Sequence, residues 1–285
     1  MNTTLKKVLI GVLAVLIIGG LLTLDALYIA PKQLKVRYET LSSPVIPEDL
    51  NGLSICVFSD LHYNNYVDKT RTQKIVDTIN EQNPDVVIFL GDLFDHPSVN
   101  VPGEVAQEDL IGLLSSINAP YGKFAVYGNH DLESPTATEI VNQVLYKGGF
   151  EIKKNENFKI HLGKKAGIQM IALDCQLLGT IDPVAAFSGS DENLYRMVIC
   201  HTPDTIDELS DYQFDYMVAG HSHGGQLYIP LIGAIYIPQY AYNYNHGKYV
   251  IDSKTLDITN GVGTTRKDIR LFADQEIVIY RFYHR

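Results

Sequence analysis

Five short motifs carry residue types that bind metal ions and handle phosphate. They are Asp60-Leu-His62, Gly91-Asp92, Gly128-Asn129-His130-Asp131, the His201 of Cys-His-Thr-Pro-Asp, and Gly220-His221-Ser-His223. Together they offer two carboxylates, one amide and four imidazoles as candidate ligands. Imidazole suits zinc, iron and similar ions, while carboxylate and amide oxygens suit harder ions such as manganese. A mixed set is what a pair of Mn, Fe or Zn ions would use. Two ions about 3.5–4 Å apart can share a hydroxide and clamp a phosphoryl group. The glycines at 220, 224 and 225 permit sharp turns and close approach beside the two histidines. Each motif alone is weak, since Asp-Leu-His recurs by chance. The ordered set is the signal.

Such residues need elements that bring them together. Residues 53–60 form a short apolar run ending in polar residues and are predicted to be a buried strand. Residues 69–82 carry Ile75, Val76 and Ile79 on one helical face, and Pro84 ends that helix. Residues 85–92 read as a second strand, 107–117 as a helix, 123–129 as a third strand and 136–146 as a third helix. Further strands fit 167–174, 195–201 and 215–220. This alternation implies a layered α/β fold. Asp60, Asp92, Asn129, His201 and His221 each fall at or just after the carboxyl end of a strand, where open α/β sheets bind ligands.

In this order the motifs resemble the calcineurin-like metallophosphoesterase superfamily, whose pattern runs D-x-H, GD-x-x-(D), GNH-(D/E), H, GH-x-H. Every element is present between residues 60 and 223. The resemblance implies a four-layer α/β/β/α sandwich, with two sheets flanked by helices. The chain is most similar to the bacterial membrane-associated phosphodiesterase branch, through GHSHGGQ at 220–226 and the tail at 261–279. Ala273-Asp274-Gln275 replaces a proline-containing segment of that branch, and no ligand lies there. Carried over by position, Asp60, His62, Asp92 and His223 would bind a first divalent ion. Asp92, Asn129, His201 and His221 would bind a second, with Asp92 bridging and Mn favoured. The resemblance further implies that His130 protonates the leaving oxygen or steadies the transition state, with Asp131 orienting its imidazole. General acid catalysis of this kind is worth roughly 10²–10⁴ in rate.

Residues 8–30 are apolar apart from Asp25 and follow Lys6 and Lys7. About 20 such residues span a bilayer, and no convincing cleavage site follows, so an uncleaved anchor is expected. The expected organisation is a short tail at 1–7, the transmembrane anchor at 8–30, a linker and first strand at 31–50, and the catalytic domain at 51–285. Basic residues flank the span on both sides (Lys6 and Lys7; Lys32, Lys35 and Arg37), so orientation rests on the signal-anchor layout. That layout puts the catalytic domain outside the cell. The net charge of -10 argues against nucleic acid as a partner. The expected partners are a phosphate ester, with lipid-linked substrates included, and the membrane; no protein partner is indicated. Cys56, Cys175 and Cys200 are odd in number and show no Cys-x-x-Cys, so each is expected to fill space as a small apolar residue.

Other candidates carry blander expectations. His96, His161, His246 and His284 read as ordinary surface or core residues, and Asp174 as a turn residue. Asp95 fits equally a ligand-orienting group or a loop cap. The tyrosine-rich residues 236–249 read as a half-buried hairpin in preference to a rim for lipid or aromatic substrate. Arg266, Lys267 and Arg270 read as surface charges in preference to phosphate contacts. The main functional expectation is a membrane-anchored hydrolase of phosphodiesters or phosphomonoesters. A nucleotide-sugar lipid pyrophosphatase, similar to UDP-2,3-diacylglucosamine hydrolases, is the alternative and needs a cytoplasmic domain. An inactive scaffold is disfavoured because all seven ligands and His130 are present. A nuclease is disfavoured because no basic patch is evident.

Overall fold

The computed structural model describes residues 2–64, 66–161 and 167–285. Its helices are α1 (Thr3–Leu24), α2 (Lys69–Glu81), α3 (Glu104–Ser115), α4 (Pro135–Lys147) and α5 (Pro183–Phe187). Its first strands are β1 (Leu34–Ser43), β2 (Ser54–Phe58), β3 (Val86–Phe89), β4 (Lys123–Ala125), β5 (Glu151–Ile152), β6 (Glu156–Ile160) and β7 (Ile168–Ala172). They are followed by β8 (Arg196–Ile199), β9 (Tyr216–Ala219), β10 (Tyr228–Ile229), β11 (Gly233–Ala234), β12 (Gly247–Ile251), β13 (Lys254–Ile258) and β14 (Gln275–His284).

Two six-stranded sheets form, in the orders β1-β14-β2-β3-β4-β5 and β12-β13-β9-β8-β7-β6. The central strands β2, β3 and β4 run parallel in one sheet, and β7, β8 and β9 in the other. Their sequences are continuous apolar runs because both faces are covered. In β2 the side chains alternate between two cores. Cys56 and Phe58 meet Ile75, Leu110 and Val141 of the helices α2 to α4. Ile55 and Val57 meet Met170, Met197 and Val218 of the other sheet. A third core packs Val198 and Met217 against Ala186 of α5 and Ile206 and Leu209 of a short 3-10 turn. The order is therefore helices, sheet, sheet, helix. All three cysteines are buried and free.

The sandwich also carries a buried polar tie. Asp257 Oδ2 accepts from Arg37 (2.9 Å), Tyr216 (3.0 Å) and Tyr280 (2.7 Å), so β13 is joined to β1 and β14 across the sheets. A buried carboxylate is tolerated only with such partners.

The expected helices and inner strands fall where the apolar runs place them. The tyrosine-rich segment does not form a hairpin: it is irregular up to Gly247, and the hairpin that follows is β12–β13. Proline at 238 and the turn-forming Asn243 and Asn245 break the run.

α1 buries none of its residues. The helix continues through a π turn (Asp25–Ile29) and a 3-10 turn (Ala30–Lys32), and only there does it meet the domain. Ala26, Ala30 and Pro31 are buried. The Arg270 N–H donates to Ala26 O (3.0 Å), and the guanidinium of Arg71 donates to Pro31 O. The stretch Thr3–Lys32 is long and apolar enough to cross a membrane.

Candidate metal centre and its cleft

The two sheets meet at their carboxyl edges, and the candidate ligands converge there. Asp60 and His62 follow β2, Asp92 follows β3 and Asn129 lies beyond β4. His201 follows β8 in the second sheet, and His221 and His223 follow β9. Asp60, His62 and His223 form one cluster, and Asp92, His201 and His221 another, each with its ligand atoms within 4.8 Å of one another. The Nε2 atoms of His62 and His223 lie 3.1 Å apart. His201 Nε2 and His221 Nδ1 are also 3.1 Å apart. Asp92 Oδ2 lies between the clusters, 3.6 Å from His62 Nε2 and 3.2 Å from His201 Nε2.

The loops holding these side chains are bent tightly. Asp60, His62, Asp92, His221 and His223 all have positive φ, between 46° and 67°. Residues with a Cβ avoid this region, and holding one there costs about 1–3 kcal/mol. Neighbouring glycines make room. A Cβ on Gly128 would sit 2.1 Å from Asp92 Oδ1, and one on Gly220 2.6 Å from Asp60 Oδ2.

Hydrogen bonds fix the ring orientations. Leu90 O can only accept, so His201 Nδ1 (2.7 Å) carries a proton and Nε2 faces Asp92. His221 Nε2 likewise donates to Gln239 O (2.8 Å), which turns Nδ1 inward. Burial opposes charge on His201, yet the Asp92 carboxylate outweighs it and pushes the imidazole up to about 9. Burial and the charge of His201 pull His221 down to about 3.

This donor set fits divalent cations. Asp60 Oδ1 and Asn129 Oδ1 are buried and have no hydrogen-bond partner among the described residues. Buried polar atoms in that condition are rare and call for a ligand. Two pairs of imidazole nitrogens at 3.1 Å, flanked by carboxylates, are satisfied together by positive ions placed between them.

Asp131 does not orient His130, contrary to the sequence expectation. Its carboxylate accepts from the backbone N–H of Asp92 (2.8 Å), Leu93 (2.9 Å) and Gly128 (2.8 Å), so it ties two ligand loops together. That carboxylate makes no hydrogen bond or ion pair with the His130 ring among the described residues. Glu133 takes that place: its Oε1 lies 2.6 Å from His130 Nδ1 and 3.0 Å from His96 Nδ1. His130 begins a 3-10 turn, His130–Leu132, which brings residue i+3 alongside it. That spacing was the available signal for Glu133. Burial disfavours charge on His130, but Asp92 and Glu133 overcome it and push the ring up to about 9.

One further residue departs from the blander expectations. Arg270 is completely buried. Its guanidinium donates to Ala273 O (2.6 Å), Gly263 O (2.6 Å), Asn260 O (2.8 Å) and His223 O (3.4 Å). A cation can be buried here because four carbonyls meet its two terminal nitrogens, leaving only Nε without a partner among the described residues. Asp95 both faces His62 Nδ1 (3.4 Å) and closes its loop by accepting from Thr265 and Asn64. Asp174 is the expected turn residue, accepting from Cys175 N and Thr180 N. Arg266 and Lys267 are exposed, but both line the cleft over the site.

A cleft of ≈ 510 Å³ opens over Asp92, Asn129, His130, His221 and His223. Its outer walls include Leu227, Tyr236 and Ile269, with Arg266 and Lys267 at the rim. Arg266 stacks on the Tyr236 ring, 4.4 Å from its centroid.

The sequence model described as "Calcineurin-like phosphoesterase" matches residues 53–225, well over half of the chain. The chain belongs to the calcineurin-like phosphoesterase family. It is a metal-dependent phosphoric ester hydrolase of a family that uses pairs of divalent ions. The phosphoesterase is 31% identical to the metallophosphoesterase YkuE of Bacillus subtilis, over 90% of this chain and 87% of that one. It is 31% identical to the phosphodiesterase YaeI of Escherichia coli, over 74% of this chain and 75% of that one. It is 27% identical to the UDP-2,3-diacylglucosamine pyrophosphatase LpxG of Chlamydia trachomatis, over 71% and 73% respectively.

Proposed function

We propose that this phosphoesterase is anchored in a membrane by the helix at its N-terminus and hydrolyses phosphodiester or phosphomonoester bonds. The observation that carries the reaction is the Asp92 carboxylate placed between two imidazole pairs at the floor of the cleft. Asp60, His62, Asp92 and His223 would hold one ion, and Asp92, Asn129, His201 and His221 the other, with Mn²⁺ favoured. When bound, such ions supply a nucleophile at neutral pH and neutralise charge on the phosphoryl oxygens. The chain's own residues do the rest. Asp92 and Glu133 hold His130 protonated, so Nδ1–H donates to Glu133 while the second proton sits on Nε2, and the ring delivers that proton to the leaving oxygen at the cleft. Asp131 keeps the Asp92 and Gly128 loops in register through its three backbone bonds. Arg266 and Lys267 draw the phosphate to an otherwise acidic protein.

A single-pass anchor with the domain outside the cell follows the signal-anchor layout. The likeness to a UDP-2,3-diacylglucosamine pyrophosphatase favours a second reading, a lipid-linked pyrophosphate as substrate with the domain facing the cytoplasm. Protease digestion of intact cells separates the two, since only an outward domain is cut.

The reaction is tested with the full-length protein in detergent, stripped of metal and then given Mn²⁺, on bis-p-nitrophenyl phosphate and p-nitrophenyl phosphate. Mn²⁺-dependent release of nitrophenol, lost in Asp92→Asn, supports the reading. Failure to bind any divalent ion would sink it.

A further inference from the structure

The hairpin β10–β11 has an apolar tip in full contact with solvent. Leu231 is wholly exposed and Ile232 79% exposed, and Ile235 at the base of the stem is 62% exposed. Single exposed apolar side chains are ordinary, and Val99 or Val184 are examples here. The hairpin differs in what it is joined to. Tyr228 N–H donates to Leu271 O (2.9 Å), Leu271 N–H to Gln226 O (2.9 Å), and Arg270 N–H to Ala26 O (3.0 Å). Consecutive backbone bonds thus link the hairpin, the strip around residue 271 and the end of the membrane-length helix. Phe272 on that strip and Leu27 and Ile29 on the helix are exposed too. Exposed apolar side chains therefore stand on three segments joined by backbone bonds, the last of them a helix that buries nothing in the protein up to Leu24. A helix of that kind needs lipid around it.

The hairpin stem is also a wall of the cleft. Leu227 and Tyr236 line it, and Ile235 N–H donates to Leu227 O (2.9 Å) across the stem. A Cβ on Gly225 would stand 2.3 Å from the Ala234 Cβ, so the stem packs directly on the turn that carries His223.

We infer that the β10–β11 hairpin is a membrane wedge. Leu231 and Ile232 enter the apolar edge of the bilayer that holds α1, and the cleft behind them receives a phosphate ester bearing an apolar tail. The substrate class is an amphiphile taken sideways from the bilayer, its phosphate over Asp92 and its tail leaving past Leu227 and Tyr236. This deepens the membrane-anchored phosphoesterase reading and rests on it.

The chain has no tryptophan, so Leu231→Trp gives a single reporter. The full-length variant is reconstituted in vesicles of phosphatidylethanolamine and phosphatidylglycerol. The expected result is blue-shifted emission, quenching by lipids brominated on their acyl chains, and protection from aqueous iodide. Emission quenched by iodide and indifferent to brominated lipid overturns the wedge. So does emission shielded from both quenchers, which would mean that protein covers the tip. A second measurement uses Leu231→Glu/Ile232→Glu with two diesters sharing one leaving group. Turnover of hexadecyl p-nitrophenyl phosphate in vesicles should fall more than about tenfold, because the charges cannot enter the bilayer. Turnover of soluble bis-p-nitrophenyl phosphate should not change. Equal loss on both substrates overturns the proposal. If the unaltered protein hydrolyses neither, the phosphoesterase reading fails, while the fluorescence result still decides the wedge.

Discussion

Replacing Glu133 with glutamine tests the proton path at His130. The carboxylate lies 2.6 Å from Nδ1, in a place only partly open to solvent. Burial works against the charge of Glu133 itself, but its bonds with His130 and Ser98 hold the carboxylate down to about 2. It is therefore ionised at every working pH. A hydrogen bond to a charged partner is worth about 1.5–3 kcal/mol. At 1.36 kcal/mol per unit, exchanging the carboxylate for an amide should lower the His130 value by about 1–2 units. Since that value is raised in the native protein, the protonated fraction falls first on the alkaline side. The alkaline limb of kcat/KM should then move acid by about 1–2 units. Turnover at pH 10, above the native limb, should drop by about 10- to 100-fold for esters of alkyl alcohols, whose leaving oxygen needs a proton. Nitrophenyl esters, whose leaving group departs as the anion, should lose only a few-fold. The assay is a pH series of kcat/KM on both ester types, with Glu133→Gln beside the unaltered protein. An unmoved alkaline limb, or equal losses on both leaving groups, refutes the role given to Glu133.

Arg270→Met removes three bonds of 2.6–2.8 Å to buried carbonyls. At about 1–2 kcal/mol each, it should lower the Tm by about 6–24 °C, since 1 kcal/mol moves a domain of this size by about 2–4 °C. A shift under a few degrees by calorimetry would mean that the guanidinium is dispensable. Gly128→Ala should fold but lose about 10²-fold or more in kcat/KM, because its methyl collides with the Asp92 carboxylate and misplaces it. Near-native turnover would show that Asp92 tolerates displacement. Removing metal should lower the Tm by about 5–11 °C per ion present at a hundred times its Kd, and readdition should release protons. The sign follows from His201, which the protein holds up to about 9 and which must be neutral to bind an ion. Calorimetric titration of Mn²⁺ at pH 7 in two buffers of different ionisation enthalpy reads that release; equal heats would contradict it. In the stripped protein His201 adds stability that is complete below its ordinary value and is lost as pH climbs through about 9. The stripped protein should therefore melt lower at pH 10 than at pH 6.

The inner strands and their ends were readable because β2, β3, β8 and β9 are buried on both faces, which leaves unbroken apolar runs closed by a polar residue. The ligand positions followed from those ends. Arg270 was not readable. The carbonyls that surround it come from residues 223, 260, 263 and 273, and no local pattern marks a residue whose partners are backbone atoms from separate segments. Asp131 misled for a similar reason: adjacency to His130 suggested a side-chain partner, whereas it serves the backbone of Asp92, Leu93 and Gly128. The tyrosines at 236–249 have strand propensity, yet proline and asparagine among them decide the conformation.

Each cluster at the carboxyl edges draws on both sheets. Asp60 and His62 from the first meet His223 from the second, and Asp92 from the first meets His201 and His221 from the second. An ion held by either cluster is then a rivet through the sandwich, joining the early part of the chain to the late part. Neither rivet can close during synthesis until the chain has been made beyond residue 201, and the one nearest Asp60 must wait for His223. Metal loading is thereby a late event in the life of the polypeptide. Once loaded, the two sheets should resist pulling apart as one mechanical unit, and chelation should lower the force that parts them to what their shared apolar core and the Asp257 tie supply.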